Sequence, residues 1–179
     1  MQMLSDRDIA RRREVGDLGI TPWAPGNLGP CSYDLTLSHL YRRPQPGIEG
    51  LDLAHLEAGH TVLCESDGPI TVMPLSPILC STVEFVQLGP AVAARVEGRS
   101  SLGRLWLMVH STAGFIDPGF CGNLTLEVVN LSPWPIEIHP GQRIAQLAFF
   151  MVSSRVVRSY AQTGSYQNQE GPTESRFKL

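Results

Sequence analysis

The chain lacks any long apolar run. None of its apolar stretches reaches the ~18 residues a membrane-spanning helix needs. The opening M-Q-M-L-S-D-R-D-I-A-R-R-R is polar and has no apolar leader core. A cytoplasmic location without membrane contact is therefore expected. Basic charge is not in excess either: 14 Lys and Arg stand against 17 Asp and Glu, for a formal net charge of −3. Broad nucleic-acid binding wants a basic surface, so no nucleic-acid partner is expected and any anion site must be local. Cysteine is sparse. Cys31, Cys64, Cys80 and Cys121 form no C-x-x-C pair, which argues against a structural zinc site or a disulfide framework and leaves buried free thiols as the expectation. The G-x-x-x-x-G-K-[ST] phosphate loop is absent. His55-Leu56-Glu57 matches the H-x-E half of the zinc-deaminase signature, but no P-C-x-x-C follows it. Zinc-dependent deamination is disfavoured.

What is present suffices for one domain with a tail. Of 179 residues, 42% are apolar, enough for one sizeable core. A helix is expected over Ser5–Val15, capped by Ser5 with Asp8 at the capping-box position and ended by Gly16 or Gly19. From Thr21 onward proline and glycine recur and apolar runs are short. Strands are expected at Tyr33–Leu37, Thr61–Cys64, Ile78–Phe85, Ala91–Val96, Leu105–Val109, Leu124–Val129, Ile136–Ile138 and Ile144–Val152, with a short helical turn within Arg99–Arg104. Many short strands with turn signals between them predict a mainly β sandwich or barrel behind one helix. The domain is placed at 1–153. Residues 154–179 are polar and read as a mobile tail.

Chemistry-bearing residues concentrate between Val96 and Glu127. In N-L-T-L-E-V-V-N, Leu124, Leu126 and Val128 share one strand face, and Thr125, Glu127 and Val129 the other. A mid-strand glutamate is unusual. It is either an exposed face or, where that face is covered, a desolvated carboxyl suited to acid–base work. Arg99-Ser100-Ser101 and Arg104 follow Gly98, and arginine forks with hydroxyls and loop N–H groups suit phosphate. R-S-S is also common in solvated loops. Asp117, before Pro-Gly, reads first as a turn former. His110, ending an apolar strand, reads first as a satisfied buried histidine.

Taken in order, these motifs resemble the dCTP deaminase family, a branch of the dUTPase-like fold. The likeness rests on V-E-G-R-S-S-L-G-R, H-S-T-A-G-F-I-D-P-G-F and L-T-L-E, and on the opening M-L-S-D-R-D-I. It extends to P-C-S-Y-D-L-T-L, P-G-Q-R-I-A-Q-L and the closing Y-Q-N-Q-E-G-P-T-E-S-R. The resemblance implies a distorted β jelly-roll homotrimer with active sites between subunits and the C-terminal tail closing over them. It implies zinc-free hydrolysis of dCTP to dUTP and ammonia, with magnesium held by the triphosphate rather than by a protein metal site. By matching position, Glu127 would be the general acid and base. Ser100 and the Ala113 backbone would place the water, and Arg104 would hold Glu127 and that water. Arg99, Ser101, Tyr166 and Gln169 would bind phosphate. Asp117 would meet the sugar hydroxyl, and Gln146 the phosphates or base. His110, Thr112, Gly114 and Phe115 complete the implied substrate-binding set.

The resemblance also bears on a second step. T-A-H-R-I-D is typical of members that only deaminate, and T-A-G-[FW]-I-D of bifunctional members that release dUMP and pyrophosphate. The chain has Thr112-Ala113-Gly114-Phe115-Ile116-Asp117 and Gln146, which implies bifunctionality, with Asp117 activating water toward the α-phosphorus. The chain departs from the family pattern at three places. Trp106 stands where glycine is usual, Gly29-Pro30-Cys31-Ser32-Tyr33-Asp34 stands where Q-P-S-S-V-D is usual, and Ser165 replaces the lysine before the tail tyrosine. Arg158, Arg176 or Lys178 could restore that cation. The departures leave open a modified cytosine or a different nucleotide class, and a deaminase without the second step stands as a separate alternative. A dUTPase is a further alternative, although such enzymes usually carry tyrosine where Phe120 stands. A non-catalytic nucleotide-sensing trimer is the last.

Overall fold

A computed structural model of the chain describes residues 2–177. Its strands are β1 (Gln2–Met3), β2 (Leu18–Thr21), β3 (Ser32–Pro44), β4 (Thr61–Glu65), β5 (Ile70–Val72), β6 (Ile78–Leu88), β7 (Val92–Gly98), β8 (Leu107–Met108), β9 (Phe115–Ile116), β10 (Cys121–Asn130), β11 (Ile136–Ile138) and β12 (Arg143–Met151). Three α segments accompany them: α1 (Asp6–Glu14), α2 (Ser100–Gly103) and α3 (Tyr160–Thr163). Ten strands form one sheet whose main path runs β8-β10-β6-β3-β12-β7-β9, with β1 on β12, β2 on β6 and β4 on β3. β5 and β11 form a separate pair. The sheet curls because β3 changes partners along its length. Residues 32–36 pair with β12, and residues 40–44 pair with β4.

Alternation of side chains drives this architecture. On β10 the residues from Cys121 to Asn130 are alternately half-buried and buried, and Leu126 and Val128 are fully enclosed. β12 buries Ile144, Leu147 and Phe149, and β3 buries Tyr33, Leu35 and Leu37 against them. Full burial of each such side chain contributes about 1.5–3 kcal/mol relative to exposure. Between Asn123 and Thr125 the pairing of β10 with β6 shifts register. The Leu124 N–H turns to the Thr82 hydroxyl (3.0 Å), and this irregularity re-aims the strand just before Glu127.

The N-terminal helix forms as the sequence predicts. The Ser5 hydroxyl accepts from the Asp8 N–H (3.3 Å). The shorter Asp8 carboxylate takes the Ser5 hydroxyl (2.9 Å) where a glutamate would reach the cap backbone. Gly16, at φ +79°, ends the helix. The β segments are longer than expected at β3 and shorter at β8, where Leu105 and Trp106 continue the α2 turn by donating to Leu102 and Gly103 carbonyls. Strands β1, β2, β5 and β9 are too short to stand out in the sequence.

Two expectations are corrected. Residues 154–177 are not a loose tail: they contain α3 and lie along β10, with the Asn168 N–H on the Cys121 carbonyl (2.7 Å) and the Asn123 N–H on the Gln169 carbonyl (3.0 Å). These bonds are polar, so composition does not announce them. The four thiols are free as expected, but only Cys80 is buried and Cys31 is exposed. Burial pushes the Cys80 thiol up to about 12.

Candidate active site

A cavity of about 530 Å³ opens between β10, the loop from His110 to Phe120, the Arg42 end of β3 with His60 and Thr61, and the tail. Glu127 projects into it from the half-buried face of β10. Its Oε2 accepts from the Ser111 N–H and the Thr112 N–H, each at 3.2 Å, and from the Thr112 hydroxyl at 3.5 Å. The Ser111 hydroxyl donates to the Glu127 carbonyl (3.1 Å). Among the described residues Oε1 accepts no hydrogen bond. One carboxylate oxygen is thus held by the loop while the other has no protein partner among the described residues, an arrangement suited to taking and returning a proton.

Ala113, Phe115 and Asp117 line the same cavity. Asp117 serves a turn as well, since its carbonyl accepts from the Phe120 N–H (3.2 Å) and Gly119 follows at φ +89°. A Cβ on Gly119 would lie 2.7 Å from that of Ser159, so glycine lets the tail approach. Gly114 is equally constrained. A Cβ there would lie 2.9 Å from the Val96 carbonyl oxygen and 3.4 Å from His110 Cδ2. His110 lines the cavity, and neither ring nitrogen, both buried, has a hydrogen-bond partner among the described residues. The expected satisfied histidine is therefore corrected: both ring nitrogens are enclosed without a partner among the described residues, and an unpartnered buried donor or acceptor costs about 1–3 kcal/mol.

From the tail come Tyr160, Tyr166 and Gln169. Tyr160 packs edge-on to Phe120 at 5.5 Å between centroids. Burial, with the Asp117 charge adding to it, pushes the Tyr160 hydroxyl upward, so it stays protonated. It accepts the Tyr166 N–H (3.2 Å). The Gln169 amide donates to the Asn123 carbonyl (2.6 Å) and accepts the Thr173 hydroxyl (2.7 Å).

Arg99, Ser100, Ser101, Arg104 and Gln146 are not among the residues lining this cavity. They form a second cluster around α2. Arg99 pairs with Asp34, to which Arg143 also binds (3.2 Å). Gln146 accepts from the Ser32 hydroxyl and donates to the Gly98 carbonyl, both at 3.1 Å. Ser100, Ser101 and Arg104 are exposed. The cavity itself holds Arg42 and His60 against Asp117, Glu127 and Glu174, a charge balance unsuited by itself to a polyanion.

The sequence reading missed Ser111, Arg42, His60, Thr61, Thr173 and Glu174. Ser111, beside His110, and Thr173 and Glu174, in the closing motif, were within reach. Arg42 and Thr61 meet Glu174 only across more than a hundred positions. The departing residues resolve differently. Tyr33 is a core residue, stacked on Trp23 at 4.6 Å with its hydroxyl accepting from the Ala24 N–H (2.8 Å). Trp106 is exposed at φ +59°, edge-on to Trp134. Ser165 offers its carbonyl to Arg176 Nη1 (2.7 Å), and the Arg176 guanidinium lies 5.7 Å from the Tyr166 ring. Arg158 is exposed, and Lys178 lies outside the described residues.

The curled antiparallel sheet belongs to the dUTPase-like class of folds. It is similar to the 2'-deoxycytidine 5'-triphosphate deaminase of Agrobacterium tumefaciens, at a TM-score of 0.65 and 19% identity over 83% of this chain and 46% of that one. It is also similar to a variant dUTPase from phage phi11 of S. aureus, a protein with a structural Mg(II) ion, at 0.52 and 13% identity over 79% and 94%. Within that class the model of dCTP deaminase-like proteins matches residues 3–152, and the chain belongs to that family. Its relatives include "dCTP deaminase, dUMP-forming" of Bifidobacterium longum, 42% identical over 97% of this chain and 93% of the relative. The protein of the same description from Thermobifida fusca is 43% identical over 99% and 93%.

Proposed function

We propose that the chain is a zinc-independent hydrolase that converts dCTP and two waters to dUMP, ammonia and pyrophosphate. The observation that carries this reading is Glu127, with Oε2 held by loop N–H groups and Oε1 free in a cavity shared with Asp117. Glu127 takes a proton from the water attacking the amino-bearing ring carbon. It then delivers protons to the ring and to the departing ammonia. The loop that holds Glu127 places the Ala113 backbone at the same cavity, where it positions the water with Ser100. Asp117 meets the sugar and activates the second water, which attacks the α-phosphorus and expels pyrophosphate. Asp117 is exposed on a fixed turn, so it is presented to that water without a covering side chain at Gly114. His110, Thr112, Gly114 and Phe115 shape the pocket around the base and sugar.

The phosphates require cations that the cavity does not hold in surplus. A neighbouring copy supplies Arg99, Ser100, Ser101, Arg104 and Gln146, so that each site lies between subunits of a homotrimer. Tyr166 and Gln169 of the tail cover the phosphates, and Arg176 stands in for the absent lysine at Ser165. Magnesium arrives on the triphosphate, where it would neutralise charge. Among the described residues no group of three His, Cys, Asp or Glu side chains is arranged to hold a metal ion. Among the described residues no helix is long and apolar enough to cross a membrane, and a cytoplasmic site of action suits a nucleotide substrate.

The test is Glu127→Gln with dCTP. Ammonia release should fall roughly 100- to 10,000-fold, with dCTP binding retained. Unchanged turnover would overturn the assignment.

A further inference from the structure

Glu174 is held more thoroughly than a surface tail residue requires. Its Oε1 accepts from the Gly59 N–H (2.9 Å), and its Oε2 from the Thr61 hydroxyl (2.9 Å) and the Thr61 N–H (3.3 Å). Arg42 Nη2 lies 3.5 Å and His60 Nδ1 3.8 Å from Oε2. Arg42 is itself fixed, donating from Nε to the Thr61 hydroxyl (2.7 Å) and from Nη2 to the Thr61 carbonyl (3.2 Å). The side chains of Arg42, His60 and Glu174 are 19%, 11% and 17% exposed, so water screens this pairing less than it screens a surface pair. Burial works against ionisation of Glu174, but the Gly59 and Thr61 hydrogen bonds with the His60 and Arg42 charges outweigh it and hold the carboxyl below its ordinary range.

The segment before Glu174 is bound to the first half of β10. The Gly171 N–H donates to Asn123 Oδ1 (3.3 Å) and the Thr173 N–H to the Thr125 hydroxyl (3.1 Å). Thr125 stands two residues from Glu127 on the same face. After Glu174 the chain turns back, and the Arg176 N–H donates to the Tyr166 hydroxyl (3.0 Å). Glu174 is therefore the point where the tail leaves β10 and is fixed to the β3–β4 end of the cavity. Tyr166 and Gln169 are suspended between that point and α3.

We propose that Glu174 is a positioning residue: its carboxylate, seated among Arg42, His60, Thr61 and the Gly59 N–H, latches the tail shut and so fixes Tyr166 and Gln169 over the substrate. This rests on the hydrolase reading above for its substrate and on geometry alone for the latch. The latch acts on binding and not on the proton transfers, because Ser111 and Thr112 hold Glu127 independently of the tail.

The test compares native protein with Glu174→Ala and Glu174→Gln by two readouts. Hydrogen exchange at the Asn168, Gly171 and Thr173 amides should accelerate in Glu174→Ala, and less in Glu174→Gln, which keeps an acceptor but loses the charge. With dCTP, KM should rise roughly 10- to 100-fold in Glu174→Ala while kcat stays within about threefold, the signature of lost binding without lost chemistry. Unchanged exchange together with unchanged KM would overturn the latch. Faster exchange with kcat falling in step with kcat/KM would overturn its role as a positioning residue. The exchange arm needs no turnover, so a protein that releases no ammonia from dCTP would sink the hydrolase reading while the latch is still decided.

Discussion

The loop around Glu127 and the turn at Arg99–Arg104 lie within one block of sequence, yet the fold sends them to different parts of the molecule. The first becomes the wall of a cavity rich in carboxylates, with Glu127 held by the Ser111 and Thr112 N–H groups. The second becomes an exposed helical turn with arginines and serines, tied to the sheet through Asp34. Under the proposed function the first serves proton transfer and the second phosphate. Their separation teaches that adjacency in sequence is not convergence in space.

The most severe way to break the comparison is to mix two crippled halves. Glu127→Gln and Arg104→Gln should each be nearly inactive alone, falling roughly 100-fold or more. Subunits exchanged between them should regain measurable ammonia release, because some sites would then combine two intact halves. No recovery would place both halves in one copy. Asp117→Asn should lower pyrophosphate release about 100-fold while ammonia release continues and dUTP accumulates. Equal loss of both products would make Asp117 a general binding residue.

A smaller effect is expected at Glu84, which the mechanism does not use. Its buried carboxyl accepts the Thr36 N–H (2.9 Å) and the Thr36 hydroxyl (2.7 Å), and burial, against those bonds, pushes its pKa up. The folded form therefore favours the proton. Its contribution to stability is full below the ordinary glutamate range and is lost as pH rises through the elevated value. Glu84→Gln should flatten that decline and raise Tm by a few degrees at neutral pH; a steeper decline would contradict it. Glu174 has the opposite sign, contributing above the ordinary range and losing its contribution as pH falls. The least effect belongs to Trp106→Gly. Relief of its positive φ, about 1–2 kcal/mol, is offset by loss of the edge contact to Trp134, about 0.5–1.5 kcal/mol. Denaturant unfolding should find stability changed by less than about 1 kcal/mol.

How much was legible in the sequence follows from which forces leave a pattern. The α1 cap, the alternation of β10 and the mid-strand oddity of Glu127 were readable because helix capping and period-two burial act over a few residues. The tail was misread because its order comes from backbone and amide hydrogen bonds to β10, which leave no apolar signature. Arg42 and Glu174 are 132 positions apart, and they meet only because the tail is laid along β10. His110 was misread for a related reason: its motif predicts burial, but satisfaction of its ring nitrogens is decided by neighbours far along the chain.

The most direct measurement is incubation of the native protein with dCTP and magnesium, with ammonia, pyrophosphate and dUMP quantified together. The account predicts all three in equal amounts. No ammonia would contradict it, and ammonia with dUTP but no pyrophosphate would remove the second step from Asp117.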